Sequence, residues 1–164
     1  MRPDTRSTVH HPAAKWLLAE EPDPKLIHER WANGALALVE AGHAFDVLRI
    51  PGSLINRLAG VPTPGNLGLL FAESGIREGV IVARNLRWYY ILLPPDSTWA
   101  EQMAGAICLQ RGDVLGVPHP GRSHPPGSYW VSELPDLPSG LADRVAVWRL
   151  LSRLQEQPGA GVTG

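Results

Sequence analysis

The chain has 164 residues, enough for one domain that buries a sizeable core. With 17 Gly, 16 Pro, 44% hydrophobic and 19% charged residues, the composition excludes a collagen-like or coiled-coil chain and indicates a loop-rich globular fold. Lys+Arg 15 against Asp+Glu 16 gives a formal net charge of -1, so no bulk positive field is available to hold nucleic acid, and such a contact needs a local patch.

Residues 1–24, interrupted by Pro3, Pro12, Pro22 and Pro24, read as a flexible tail; its one apolar piece, 13–19, contains Trp16, Leu17 and Leu18. Residues 25–157 form a single domain. In it, 25–31 reads as one or two helical turns and 34–39 as a short buried strand. Residues 45–51 make a second strand ended by Pro51, and the tight link 40–43 joins the two as a hairpin. Helical spacing over 53–59, stopped by Gly60, predicts a helix, and 66–73 predicts another. Residues 80–83 and 86–93 are strands joined by a turn at Arg84 and Asn85; along the second, Trp88, Tyr90 and Leu92 share one face and Arg87, Tyr89, Ile91 and Leu93 the other. Thr98 to Glu101 fits a capping box opening a helix over 99–106. A strand at 114–118 leads into a Pro/Gly/His loop, 119–127, and 128–131 returns as a strand beside it. Leu141, Val145, Trp148, Leu151 and Leu154 lie three or four apart and predict one helix face over 139–155. Residues 158–164 read as a flexible end. The interleaved order indicates an α+β fold: a mixed, largely antiparallel sheet with flanking helices.

Little in the chain points directly to chemistry. Cys108 is the single cysteine, which excludes an intrachain disulfide and a multi-Cys zinc site; its apolar neighbours suit a small core residue. His119 and His124 share a proline-stiffened loop, without a third metal ligand at suitable spacing. There is no Gly-x-Ser-x-Gly elbow and no Gly-rich phosphate loop with Lys. Arg84, Arg87, Trp88, Tyr89 and Tyr90 fall on one hairpin, where core packing competes with a base-stacking platform. No window approaches 18 consecutive apolar residues, so no membrane span is expected. The polar N-terminal stretch lacks a signal core, which indicates a cytoplasmic protein.

Three stretches carry a family resemblance. They are Gly42-His43-Ala44-Phe45-Asp46-Val47-Leu48-Arg49-Ile50-Pro51, Leu86-Arg87-Trp88-Tyr89-Tyr90-Ile91-Leu92-Leu93-Pro94-Pro95 and Arg111-Gly112-Asp113-Val114-Leu115-Gly116-Val117-Pro118-His119-Pro120. Together they resemble the N-terminal domain of bifunctional DNA primase/polymerases, and more closely the small stand-alone actinobacterial proteins related to it. The resemblance covers roughly residues 31–131. It implies a primase-polymerase-like fold and a replication-related setting. It sets Asp46 against the first acid of an Asp-x-Asp metal pair, with Leu48 at the second. Arg87 stands where the family has a phosphate-contacting His, and Asp113 is set against a third acid.

Two-cation phosphoryl transfer needs clustered carboxylates, and Leu48 has no oxygen to offer. The expectation is therefore a non-catalytic relative that needs no cofactor. It would be a nucleotide- or nucleic-acid-binding or accessory module, with Arg87, Arg111, Arg122 and His119 as anion contacts and Asp46, Leu48 and Asp113 as vestigial positions. Two alternatives stand beside it. One is a Mg²⁺- or Mn²⁺-dependent nucleotidyltransferase using Asp46 and Asp113. The other is a protein-interaction domain working through the Trp16 segment or the Pro-rich loop.

Overall fold

The computed structural model of the chain describes residues 12–19, 21–97, 99 and 103–157. The elements are α1 (Pro12–Leu17), α2 (Pro24–Ala32), β1 (Ala37–Glu40), β2 (Asp46–Pro51), α3 (Gly52–Ala59), α4 (Pro64–Glu73), β3 (Val80–Val82), β4 (Trp88–Leu93), β5 (Ile107–Cys108), β6 (Val114–Val117), β7 (Tyr129–Ser132) and α5 (Arg144–Gln155), with short 3₁₀ turns at Arg84–Leu86 and Pro138–Gly140. The fold is α+β. One antiparallel sheet has the order β5-β2-β4-β3-β7, and β1 and β6 form a separate two-stranded ribbon.

Local chemistry sets the helix starts. Asp23, Thr63 and Asp143 accept from the backbone N–H of Leu26, Asn66 and Ala146, and Pro24 and Pro64 occupy first-turn positions where no N–H is needed.

Both faces of the large sheet are buried. On one face Leu48, Ile50, Val80, Tyr89 and Ile91 pack with Ile55, Phe71, Val147 and Leu150 of α3, α4 and α5. On the other, Val47, Ile81, Leu92 and Trp130 pack with Leu17, Trp31, Val39 and Val117 of α1, α2 and the ribbon. Each such side chain contributes about 1.5–3 kcal/mol relative to exposure. This explains why β2 carries apolar residues on both faces (Val47, Leu48 and Ile50) and β4 has no charged residue, whereas β1 alternates, burying Ala37 and Val39 and exposing Leu38 and Glu40. Among the described residues no helix is long and apolar enough to cross a membrane.

Several expectations are corrected. Residues 12–19, read as part of a tail, belong to the core: Ala13, Ala14, Trp16, Leu17 and Leu18 are buried, and the Trp16 indole donates to the Pro135 carbonyl at 3.0 Å. Residues 1–11 and 158–164 lie outside the described residues. β1 and β2 are not a hairpin; β1 pairs with β6, because its one exposed face suits an outer ribbon and the two-sided β2 suits a sheet interior. β7 pairs with β3 rather than beside β6. The helix expected over 99–106 is not present at 103–106, where Ala104 and Gly105 take left-handed φ of 53 and 74; Thr98 and residues 100–102 lie outside the described residues. β4 begins at Trp88, leaving Arg87 before the strand, and β5 was not anticipated. On α5 the buried face is Ala146, Val147, Leu150, Leu151 and Leu154, while Val145 and Trp148 are exposed.

Candidate functional site

Asp46, the first acid suggested by the resemblance, does not share a cleft with Arg87. Asp46 pairs with Leu93 at one end of β2; Arg87 precedes Trp88, which pairs with Pro51 at the other end. At ~3.4 Å per residue the two are separated by roughly 20 Å along the strand. Asp46 Oδ2 accepts from the Ser97 N–H at 2.8 Å and so fastens the turn after β4. Asp113 Oδ2 accepts from the Gln110 N–H at 2.7 Å and closes its own turn, while its carbonyl accepts from Ala41 N–H. Leu48 is fully buried between Ile91 and Cys108 on the neighbouring strands. Among the described residues no three His, Cys, Asp or Glu side chains gather in a way that could hold a metal ion.

Arg111 lies against the turn before β2. Its guanidinium donates to the Gly42 carbonyl at 3.2 Å, and its Cα stands 3.0 Å from where a Cβ on Gly42 would be, so that turn requires glycine. The β4 aromatics do not form an open platform: Tyr89 is in the core, and the Arg49 guanidinium covers the Trp88 ring at 4.3 Å from its centroid. Cys108 is half-buried, and burial, with the charge of Asp46, pushes its thiol pKa up.

His119 and Arg122 do come together, with Arg84, around a cavity of about 390 Å³. Strand pairing builds it. Ala37 pairs with Val117, which brings the chain before β1 (Gly34, Ala35, Leu36) alongside the chain after β6 (Pro118, His119). Val82 pairs with Tyr129, which brings Arg84 alongside Gly127 and Ser128. The cavity sits where these four chain ends meet, at the seam between ribbon and sheet.

Two indoles tie the Pro118 region down. Trp31 donates to the Val117 carbonyl at 2.9 Å and Trp130 to the Pro118 carbonyl at 3.1 Å, both buried. Within the loop, Arg122 N–H donates to the His119 carbonyl, and the Arg122 carbonyl accepts from Trp130 N–H. His119 Nδ1 accepts from the Gly121 N–H at 2.9 Å. A ring nitrogen that accepts a hydrogen bond carries no proton, so the neutral ring in this arrangement is protonated at Nε2. The ring meets Trp31 edge-on, with centroids 5.9 Å apart. The Arg122 guanidinium donates to the Pro126 carbonyl, yet its Nε is buried with no hydrogen-bond partner.

Among the described residues the lining therefore presents the Arg84 and Arg122 side chains, the His119 imidazole, the Trp31 indole, Ser128 and backbone, and no carboxylate. Such a set attracts an anion, and Arg offers planar donors suited to phosphate oxygens. Of the four residues nominated from sequence, His119 and Arg122 line this cavity; Arg87 and Arg111 do not. Arg84, which the sequence groups with the β4 aromatics rather than with this loop, and Trp31, which the sequence does not single out for a site, complete the lining. The signal for Arg84 was its position directly after a strand, but its nearness to residues 119–128 depends on a β3–β7 pairing that local sequence does not encode.

The chain matches no family model, no curated protein and no solved structure.

Proposed function

We propose that this protein is a non-catalytic, primase-polymerase-like binding module that takes the phosphate of a nucleotide in the cleft formed by Arg84, His119 and Arg122. The observation that carries the reading is the cationic lining, in which Arg84, His119 and Arg122 meet with no carboxylate among the described residues. The resemblance supplies the nucleotide as the phosphate carrier. The positions of Asp46, Leu48 and Asp113, each engaged in a turn or in the core, favour binding over nucleotidyl transfer. A cytoplasmic location, where nucleotides are abundant, is part of the proposal.

Titration of the full chain with ATP at low salt tests it. A hydrogen bond to a charged group contributes about 1.5–3 kcal/mol, so Arg122→Ala should weaken binding roughly ten- to hundredfold, and added salt should weaken the wild type. No binding at low salt, or binding indifferent to Arg122→Ala, would sink the reading.

A further inference from the structure

A second cavity, of about 370 Å³, adjoins the first and shares Arg84 and Gly127 with it. Its character is different. Pro62, Pro64, Pro126 and Leu86 give it rigid apolar walls, and Asn85 adds one side-chain amide. Each cavity alone is near the lower end of the ~300–1,000 Å³ that small-molecule sites occupy.

The turn between them is held in a costly shape. Asn85 and Leu86 take left-handed φ of 63 and 57 in succession, and a bulky residue there costs of order 1–3 kcal/mol. Three groups enforce it. Asn56 Nδ2 donates to the Leu86 carbonyl at 3.0 Å, Asn56 Oδ1 accepts from the Tyr89 hydroxyl at 2.6 Å, and the Gly52 N–H donates to the Arg87 carbonyl at 2.8 Å. All three residues of the strained turn, Arg84, Asn85 and Leu86, line the second cavity. Backbone strain maintained by dedicated partners, at residues that line a groove, is characteristic of a pre-organised binding site.

We infer that the two cavities are one bipartite site. The phosphate lies at Arg84, His119 and Arg122, and the flat ring attached to it lies among the proline rings and Leu86, where the Asn85 amide selects the ring by its polar edge. This rests on the phosphate reading of the first cavity and adds a ring subsite with a specificity residue.

The test compares inorganic tripolyphosphate with ATP, GTP, CTP and UTP by calorimetry on the full chain. Asn85→Gly keeps the left-handed backbone while removing the amide; Pro62→Ala removes part of an apolar wall of the ring cavity without adding charge. At least one nucleotide should bind tenfold or more tightly than tripolyphosphate. Asn85→Gly should weaken that nucleotide about three- to tenfold, the worth of one hydrogen bond, and Pro62→Ala should weaken it as well, both leaving tripolyphosphate unchanged. Equal affinity for tripolyphosphate and all four nucleotides would overturn the ring subsite while leaving the phosphate cleft intact. Equal weakening of both ligand types by the two variants would overturn it also. Failure of every ligand to bind the wild type would remove the phosphate reading itself.

Discussion

The Leu86 carbonyl oxygen lies 2.0 Å from the place a Cβ on Gly52 would occupy. The first residue of α3 must therefore be glycine for steric reasons, and the left-handed turn at Asn85 and Leu86 depends on that close approach. Gly52→Ala forces backbone apart, and overpacking of this kind costs typically about 1–3 kcal/mol. Chemical denaturation should record a loss of about 2 kcal/mol or more, whereas Gly65→Ala, where a Cβ meets nothing within 4 Å, should not destabilise the fold.

Trp16 anchors residues that composition alone assigns to a tail. Its indole meets Phe45 edge-on at 6.4 Å and donates to Pro135. Trp16→Ala removes a buried aromatic and its hydrogen bond, which costs about 3–5 kcal/mol in a packed site. Thermal melting should show a drop far beyond that of a surface change; a drop within error would mean that α1 contributes nothing to the core.

Leu48→Asp is the substitution that would complete an Asp-x-Asp pair with Asp46. Leu48 has no exposed surface, so the change buries a carboxylate against Ile91 and Cys108. The expected outcome is loss of more than about 4 kcal/mol, read as an unfolded or strongly destabilised protein by circular dichroism. A well-folded variant that binds Mn²⁺ would instead mean that this face of β2 is open.

The strand cores and helix caps were legible in the sequence because each depends on residues close together: apolar runs at 80–82 and 88–93, and Asp or Thr ahead of a helix. Pairing partners were not. β1 with β6, and β3 with β7, join segments tens of residues apart, and no turn chemistry between them specifies the match. Helix α5 was out of phase for a local reason. Leu141 precedes the Asp143 cap and is not on the helix, so counting from it placed Val145 and Trp148 on the buried face in place of Ala146 and Val147. The cleft was half legible. His119 and Arg122 share one loop, but Arg84 reaches them only through the sheet, and Arg87 and Arg111 were nominated by position in a motif.

Those last two residues supply a sharp control. Neither lines the cleft, and Arg111 is committed to the Gly42 carbonyl. Arg87→Ala and Arg111→Ala should each bind ATP within about twofold of wild type, the spread of a rim charge screened by solvent, in the same titration that registers Arg122→Ala. A large loss from Arg87→Ala would move the phosphate site toward the end of β4.

Alkaline pH should unfold the protein through its tyrosines. Burial, and then the neighbouring Tyr129, raises the pKa of Tyr89; burial also raises Tyr129, and raises Tyr90 against the opposing charge of Arg49. In the unfolded chain these groups ionise near ~10. Above that pH the unfolded state binds fewer protons than the folded state, so stability is complete below about pH 10 and falls as the pH climbs toward the raised folded values. Tyr89→Phe should flatten the decline in melting temperature above pH 10, even though it lowers stability at neutral pH by removing the bond to Asn56.

The two-sided burial of the central sheet bears on how its strands find alignment. A strand with one wet face is kept from slipping because a shift of one residue would turn its apolar set outward. Over Ile91–Leu93 of β4, where successive side chains are all buried, a slip exchanges one apolar side for another, so hydrophobicity alone cannot arbitrate there. Alignment must come from the few polar anchors that fit in a single place: the Tyr89 hydroxyl on Asn56 and the Asp46 carboxylate on the turn beyond Leu93. The groups that would be vestiges of catalysis, or mere decoration of the core, thus act as the pins that set strand against strand.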